Sequence, residues 1–293
     1  LCNGFSRLTL RLAGKENSMI IALRAVLITC AALLFAQPVH AEVALAAHRA
    51  VYDLSLLKSS GAKAPIHAHG RIVLEFSGST CEGYVQNFRQ ITDMQPPEGA
   101  SKLSDMTAAT FESGDGESFR FKTQTRIERA IVENVDGRAR KQNGGVEVSV
   151  EKPKKAAVNI AAPTFFPTEH LRRILSAAQA GDKFLEARVF DGSGEGDKAF
   201  DTLTVIGASL TTAAPENAAQ EPGVSGLKRW PVSVSYFEAG KRDGQPVYVL
   251  SFDLYENGVS RALRLDYGDF VLGGELAALS FLKASPCDHP SKP

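Results

Sequence analysis

Ser118-Phe119-Arg120-Phe121-Lys122-Thr123-Gln124-Thr125-Arg126 alternates without a break: Phe119, Phe121, Thr123 and Thr125 share one face, and Arg120, Lys122, Gln124 and Arg126 share the other. A period of two over such a run marks a strand with one face in a core and the other in water, the usual arrangement of an antiparallel sheet. Val146, Val148 and Val150 alternate with Glu147, Ser149 and Glu151 in the same way. Further strands are expected at Arg49–Leu56, Arg71–Phe76, Tyr84–Ile91, Met106–Phe111, Lys183–Phe190, Leu203–Ile206, Val232–Phe237, Pro246–Tyr255 and Val259–Tyr267. So many short strands define an all-β protein.

Asn257-Gly258, Asp136-Gly137, Asn143-Gly144-Gly145 and Asp243-Gly244 carry residues that tolerate positive φ, and they are read as tight type I′ hairpin turns. Successive strands are therefore expected to pair as a meander rather than through βαβ crossovers. One segment breaks the period. From Thr168 to Ala180, Leu171, Ile174, Leu175 and Ala178 follow i, i+3, i+4, i+7 spacing, Thr168 is placed to cap the start and Gly181 to end it. This single amphipathic helix, near the middle of the mature chain, is expected to separate two β halves and to lay its apolar face in the concavity of the sheet. Ala208–Gly226, rich in Ala, Pro and Glu without periodicity, reads as a mobile loop.

The N-terminus reads as an export leader over residues 19–41: Arg24 gives a positive charge, Ala25–Ala36 is a short apolar run, and Val39-His40-Ala41 suits cleavage before Glu42. Residues 1–18 precede the first methionine and are read as upstream sequence outside the native chain. Leu27-Ile28-Thr29-Cys30 loosely resembles a lipidation box, but the apolar run continues past Cys30, which is read as signal-core filler. Residues 42–293 are then one exported domain. Its only cysteines, Cys81 and Cys287, lie where thiols oxidise, and a disulfide between them is expected; two buried free thiols are the alternative. Lys and Arg together number 33, as do Asp and Glu, and this balance offers no footprint for nucleic acid. Lys152-Pro153-Lys154-Lys155 is a local exception, read as a solvated loop.

Catalytic signatures are absent: there is no G-x-S-x-G elbow, phosphate loop or H-E-x-x-H helix. His67 and His69 share a face at a spacing that suits a metal, without an identified third ligand. Asp191-Gly192-Ser193-Gly194-Glu195-Gly196-Asp197 imitates a calcium loop, but Thr202 stands where the bidentate Glu belongs, so a Gly-rich hairpin turn is expected. His170 is read as tying the helix entry to the sheet, and Trp230 as packing. No catalytic residue, metal or cofactor is assigned, and the ligand-binding residues are unknown.

Phe166-Pro167-Thr168-Glu169-His170, Asp191-Gly192, Tyr255-Glu256-Asn257-Gly258, Asp266-Tyr267-Gly268-Asp269-Phe270 and the cysteine pair together resemble the cell envelope integrity protein EipB family, over about Ala47 to Cys287. The resemblance implies a periplasmic antiparallel β-spiral of two half-barrel-like parts, a disulfide between early and late segments, and a role in keeping the bacterial envelope intact. It brings no catalytic residues. The expected function is non-enzymatic: binding of a periplasmic partner protein, peptide or lipid on a concave β surface. A lipid or lipoprotein carrier resembling the lipoprotein-localisation half-barrels is the alternative, and an envelope hydrolase is the third reading.

Overall fold

The computed structural model describes residues 43–241, 244–284 and 287. The leader at 19–41 and the segment 1–18 lie outside the described residues. Fourteen strands form one sheet: β1 (His48–Ser59), β2 (His67–Ser79), β3 (Gly83–Gln95), β4 (Lys102–Glu112), β5 (Ser118–Ile127), β6 (Ala130–Gln142), β7 (Gly145–Lys152), β8 (Ala156–Ala161), β9 (Phe184–Val189), β10 (Phe200–Ile206), β11 (Arg229–Glu238), β12 (Tyr248–Tyr255), β13 (Ser260–Asp266) and β14 (Phe270–Phe281). Among the described residues one α-helix, α1 (Pro167–Ala180), stands between β8 and β9. The spatial order runs β8 to β1, then β14 back to β9. Every step but one is a sequence-neighbour hairpin; the exception is β1 against β14, an antiparallel ladder that joins the halves β1–β8 and β9–β14. The sheet does not close, and β8 and β9 are its two ends. This is the expected all-β, open antiparallel spiral of two half-barrel-like parts.

The expected strands fall on observed ones, with ends that differ by a few residues, and β6, β8 and β14 are additional. Asp136-Gly137 is not a turn but the middle of β6, at an irregularity in its pairing with β7. Glycine is required there because a Cβ on Gly137 would sit 2.5 Å from Cζ of Phe121, which lies across it from β5. Asn143-Gly144 does form the two-residue β6–β7 turn, with φ of 50° and 77°, as a type I′ geometry demands. Asn257-Gly258 also turns a hairpin, but only Gly258 is left-handed (φ 88°). Asn257 instead accepts the Val259 N–H and donates to the Gly223 carbonyl, so its value lies in its side-chain amide. Asp243 lies outside the described residues.

Three hydrophobic clusters make the core. The first gathers Tyr52, Leu54, Ile72, Leu272 and Leu276 around the β1–β14 seam. In the second, Ile174, Leu175, Ala177 and Ala178 of α1 press on Ile206, Trp230, Val232, Val234, Phe252 and Leu254 of β10–β12, so the helix covers the inner face of the second half as its spacing predicts. The third joins Phe119, Phe121, Val135, Val146 and Val148 to Phe166 at the helix entry and Phe190 after β9. Pro167 opens α1, where its missing N–H costs nothing, and left-handed Gly181 (φ 87°) closes it on the carbonyls of Ala177 and Ala178. Thr168 is not the cap: it is already the second residue of the helix, Phe166 holds the cap position, and the free N–H groups are taken by a distant carboxylate described below.

Ala208–Gly226 is not a loose loop either. It carries a short 3-10 turn at Asn217–Gln220 and buries Ala214, Glu216, Ala218, Ala219 and Val224 against the first cluster. Buried Glu216 is held by a two-oxygen fork to Nε of Arg261 (2.9 and 3.0 Å), while Arg261 also binds Asp253. The alanines that read as disorder let the backbone lie close to β14, and the ion pair satisfies the one charge that goes inside.

Candidate functional site

His67 and His69 are exposed on one face of β2, opposite Gln95 and Asp93, and no group of three or more His, Cys, Asp or Glu suited to a metal occurs among the described residues. His170 is buried in α1 with Nε2 3.5 Å from the Thr202 hydroxyl of β10; burial, aided by Arg173, pushes its imidazole down to about 4, so it is a neutral packing group at the helix entry. Trp230 is core in β11. Asp191–Asp197 forms the β9–β10 connection: Ser193 N–H donates to Asp191, and Gly192 and Gly196 press on the Phe121 ring, leaving no room for a Cβ. Cys81, in the β2–β3 turn, and Cys287, beyond β14, are bonded with their Cα atoms 5.6 Å apart. The bridge does link the two halves, but they already share the β1–β14 ladder, so its local task is to pin the segment after β14 to the β2–β3 turn.

The site with the strongest geometry lies on the polar face of β4–β7. Twist and curl make that face a groove of about 850 Å³, floored by Ala109, Phe111, Ser149 and the outward side chains of β5 and β6. Arg120 and Arg138 stand directly opposite each other across β5 and β6, with Lys122 and Arg140 one step along on either side. All four are exposed, and none forms an ion pair among the described residues, although Asp136, Glu147 and Glu151 line the same groove. The Arg120 guanidinium lies 5.6 Å from the centre of the Phe111 ring. A second hollow of about 450 Å³, sharing Ala109 and Lys122, carries the same face on to Arg49, Glu75 and Arg89. Like charges directly opposite on a sheet destabilise it, so the Arg120–Arg138 pair is a local cost that the fold itself does not offset with an ion pair among the described residues. Alternation in β5 shows Arg120 and Lys122 as outward residues; Arg138 and Arg140 were hidden because β6 was broken at a supposed turn.

Residues 39–283 match the family model described as EipB-like. The chain belongs to the EipB-like family. It is 37% identical over 239 residues to the cell envelope integrity protein EipB of Brucella abortus (strain 2308), an alignment covering 81% of this chain and 84% of that protein. A crystal structure from Brucella abortus, described as a beta-barrel-like protein of a domain of unknown function, DUF1849, superposes with a TM-score of 0.78 at 35% identity, covering 82% of this chain and all of the other. In this EipB-like chain the short motifs that carry the family resemblance fall at structural corners. Phe166-Pro167 starts α1, Asn257-Gly258 turns β12 into β13, and Asp266-Tyr267-Gly268-Asp269 turns β13 into β14, with the Gly268 N–H donated to Asp266 and the Ser60 N–H to the Asp269 carbonyl.

One further group links the halves of this EipB-like fold. Glu112, at the end of β4 and buried, accepts the N–H groups of Thr168 (2.7 Å) and Glu169 (2.8 Å), the open donors at the start of α1. Burial pushes its carboxyl up to about 7 against the pull of those two donors, and the neighbouring Glu169 adds to the rise. Glu169 itself is paired with Lys141 of β6 at 2.6 Å. The N-terminal half thus holds the helix at its entry while the C-terminal half holds its apolar face. On the inner side, Phe200, Tyr236, Tyr248, Tyr267 and Phe270 form a strip of partly exposed rings, with centroids 4.8 to 6.1 Å apart, across β10–β14.

Proposed function

We propose that this chain helps to keep a bacterial cell envelope intact from the periplasm, and that it does so by binding rather than by catalysis. The observation that carries the reading is the groove on β4–β7: it is concave, it is lined by four basic side chains beside three carboxylates, and its lining offers neither a histidine nor a cysteine, and no buried acid–base pair. Membership of a family that includes a Brucella protein named for envelope integrity supplies the cellular context. A lipid or lipoprotein carrier has less support, because α1 and the 208–226 segment fill the apolar concavity with the protein's own side chains. Among the described residues no helix is long and apolar enough to cross a membrane.

The test is complementation. In a Brucella abortus strain lacking its EipB, the wild-type chain is expected to restore growth on detergent. The Arg120→Glu/Arg138→Glu variant, folded by circular dichroism and present at equal level, is expected not to. Full restoration by that variant sinks the groove as the working surface, and failure of the wild type sinks the envelope reading.

A further inference from the structure

The two ends of the open sheet are treated differently. At β9, the outer edge is met by the chain entering α1: Phe165 donates its N–H to the Arg188 carbonyl (2.8 Å), and Phe190 donates to the Phe165 carbonyl (3.0 Å). At β8, one edge pairs with β7 along Ala156–Ala161, and no backbone hydrogen bond reaches the other edge among the described residues. Only the Ala161 carbonyl is taken, by the Thr164 hydroxyl at 2.7 Å. An open edge is a row of donors and acceptors that pairs with any extended chain, and proteins guard such edges with charges or proline inside the strand. β8 has neither: it reads Ala-Ala-Val-Asn-Ile-Ala, with Val158 and Ile160 turned toward the third cluster and Ala157 and Asn159 exposed.

Charge is concentrated at one end of that edge. Lys152, Lys154 and Lys155 are all exposed just before β8; Lys155 touches Glu151 at 3.8 Å, while Lys152 and Lys154 have no acidic partner among the described residues. β7, the neighbour of β8, contributes Glu147, Ser149 and Glu151 to the groove, so a strand added beyond β8 would continue the same sheet surface.

We propose that β8 receives an extended acidic segment of a partner protein as an added antiparallel strand, with the acidic side chains at that segment's C-terminal end set against Lys152, Lys154 and Lys155. Antiparallel addition follows the rest of the sheet, in which every strand pair is antiparallel. Main-chain hydrogen bonds supply affinity and the lysines supply the choice of partner. This rests on the reading of the chain as a binding protein and names the chemistry of what it binds.

The probe is a fluorescein-labelled Thr-Val-Thr-Val-Thr-Val peptide ending in Glu-Asp-Glu, with a Lys-Lys-Lys counterpart, titrated into the disulfide-bonded protein by anisotropy and followed by hydrogen exchange. The acidic peptide is expected to bind about tenfold more tightly than the basic one, the sum of three exposed pairs of modest strength. It is also expected to slow exchange in residues 156–161, and Lys152→Glu/Lys154→Glu/Lys155→Glu is expected to abolish the preference. No binding, equal binding of the two peptides, or protection elsewhere overturns the proposal. So does concentration-dependent protection of residues 156–161 without peptide, which would mean that a second copy of the chain occupies the edge. If the peptide fails while the wild-type chain still complements the Brucella deletion, the edge assignment falls and the envelope role stands.

Discussion

Two buried acids show how single residues tie distant parts of this fold together. Glu112 holds the first turn of α1, and its carboxyl is raised from an ordinary 4.5 to about 7 by burial. A raised acid value means that the folded state binds the proton more tightly than the unfolded state. Its contribution to stability is therefore greatest below pH 4.5, falls as pH rises from 4.5 to about 7, and is flat above that. His170, pushed down from 6.5 to about 4, works the other way: it is neutral when folded and protonated when unfolded over most of that window, so its contribution to stability rises from about pH 4 to 6.5. The two trends offset each other in the wild type, so Glu112 is read by difference: in urea unfolding its own component is expected to fall by a few kcal/mol across the window, at roughly 1.4 kcal/mol for each tenfold difference in proton affinity between the folded and unfolded chain. Glu112→Gln is expected to flatten that component, and an unchanged slope would show that another group carries it. Glu216 and Arg261 form the second case. Glu216→Ala leaves a buried guanidinium short of its main partner and is expected to cost about 3–5 kcal/mol in the same assay, whereas replacing both by apolar residues is expected to cost much less. Neither acid was legible in the sequence: Glu112 reaches Thr168 across 56 positions and Glu216 reaches Arg261 across 45. No local pattern encodes such partners.

Elements were legible where water lies on one side of them. β5 and β7 alternate because one face is core and the other is the groove, and α1 repeats every three to four residues because it lies on the second half as a lid. β14 escaped because Val271, Leu272, Gly273 and Gly274 are buried in succession, with Leu54, Leu57 and Leu263 closing over the two glycines, so no alternation remains. β8 escaped because alanine is a poor strand former and only its place beside β7 makes it a strand. The same logic gives a test of α1. Leu175 is completely buried, and Leu175→Ala is expected to lower stability by about 2–5 kcal/mol. Because the helix covers β10–β12, hydrogen exchange should accelerate there before it does in β2–β4; equal acceleration in both halves would show that the helix supports the sheet as a whole.

At the scale of the molecule, one ladder decides the architecture. The pairing of β1 with β14 closes the longest loop in the fold and spans eleven register pairs, two of its steps irregular. The Cys81–Cys287 bridge, 206 residues apart in sequence, adds a covalent restraint nearby. Removing it with Cys81→Ser/Cys287→Ser is expected to cost up to about 5 kcal/mol, chiefly by freeing the unfolded chain. The β1 and β14 amides should remain protected in the native state. Loss of that protection would mean that the bridge, not the ladder, holds the halves together.

The sequence by itself determined the class of the protein and most of its strands, the helix α1 and its stop at Gly181, and the cysteine pair, because each is written in short-range periodicity, turn chemistry or residue count. Tertiary structure alone decided that Asp136-Gly137 continues a strand beneath Phe121, that Ala208–Gly226 is core, that Glu112 rather than Thr168 caps α1, and that Arg120 meets Arg138 in a groove. Each of these depends on which surfaces are brought face to face by a sheet that curls back on itself, and a nearest-neighbour pattern holds no record of that.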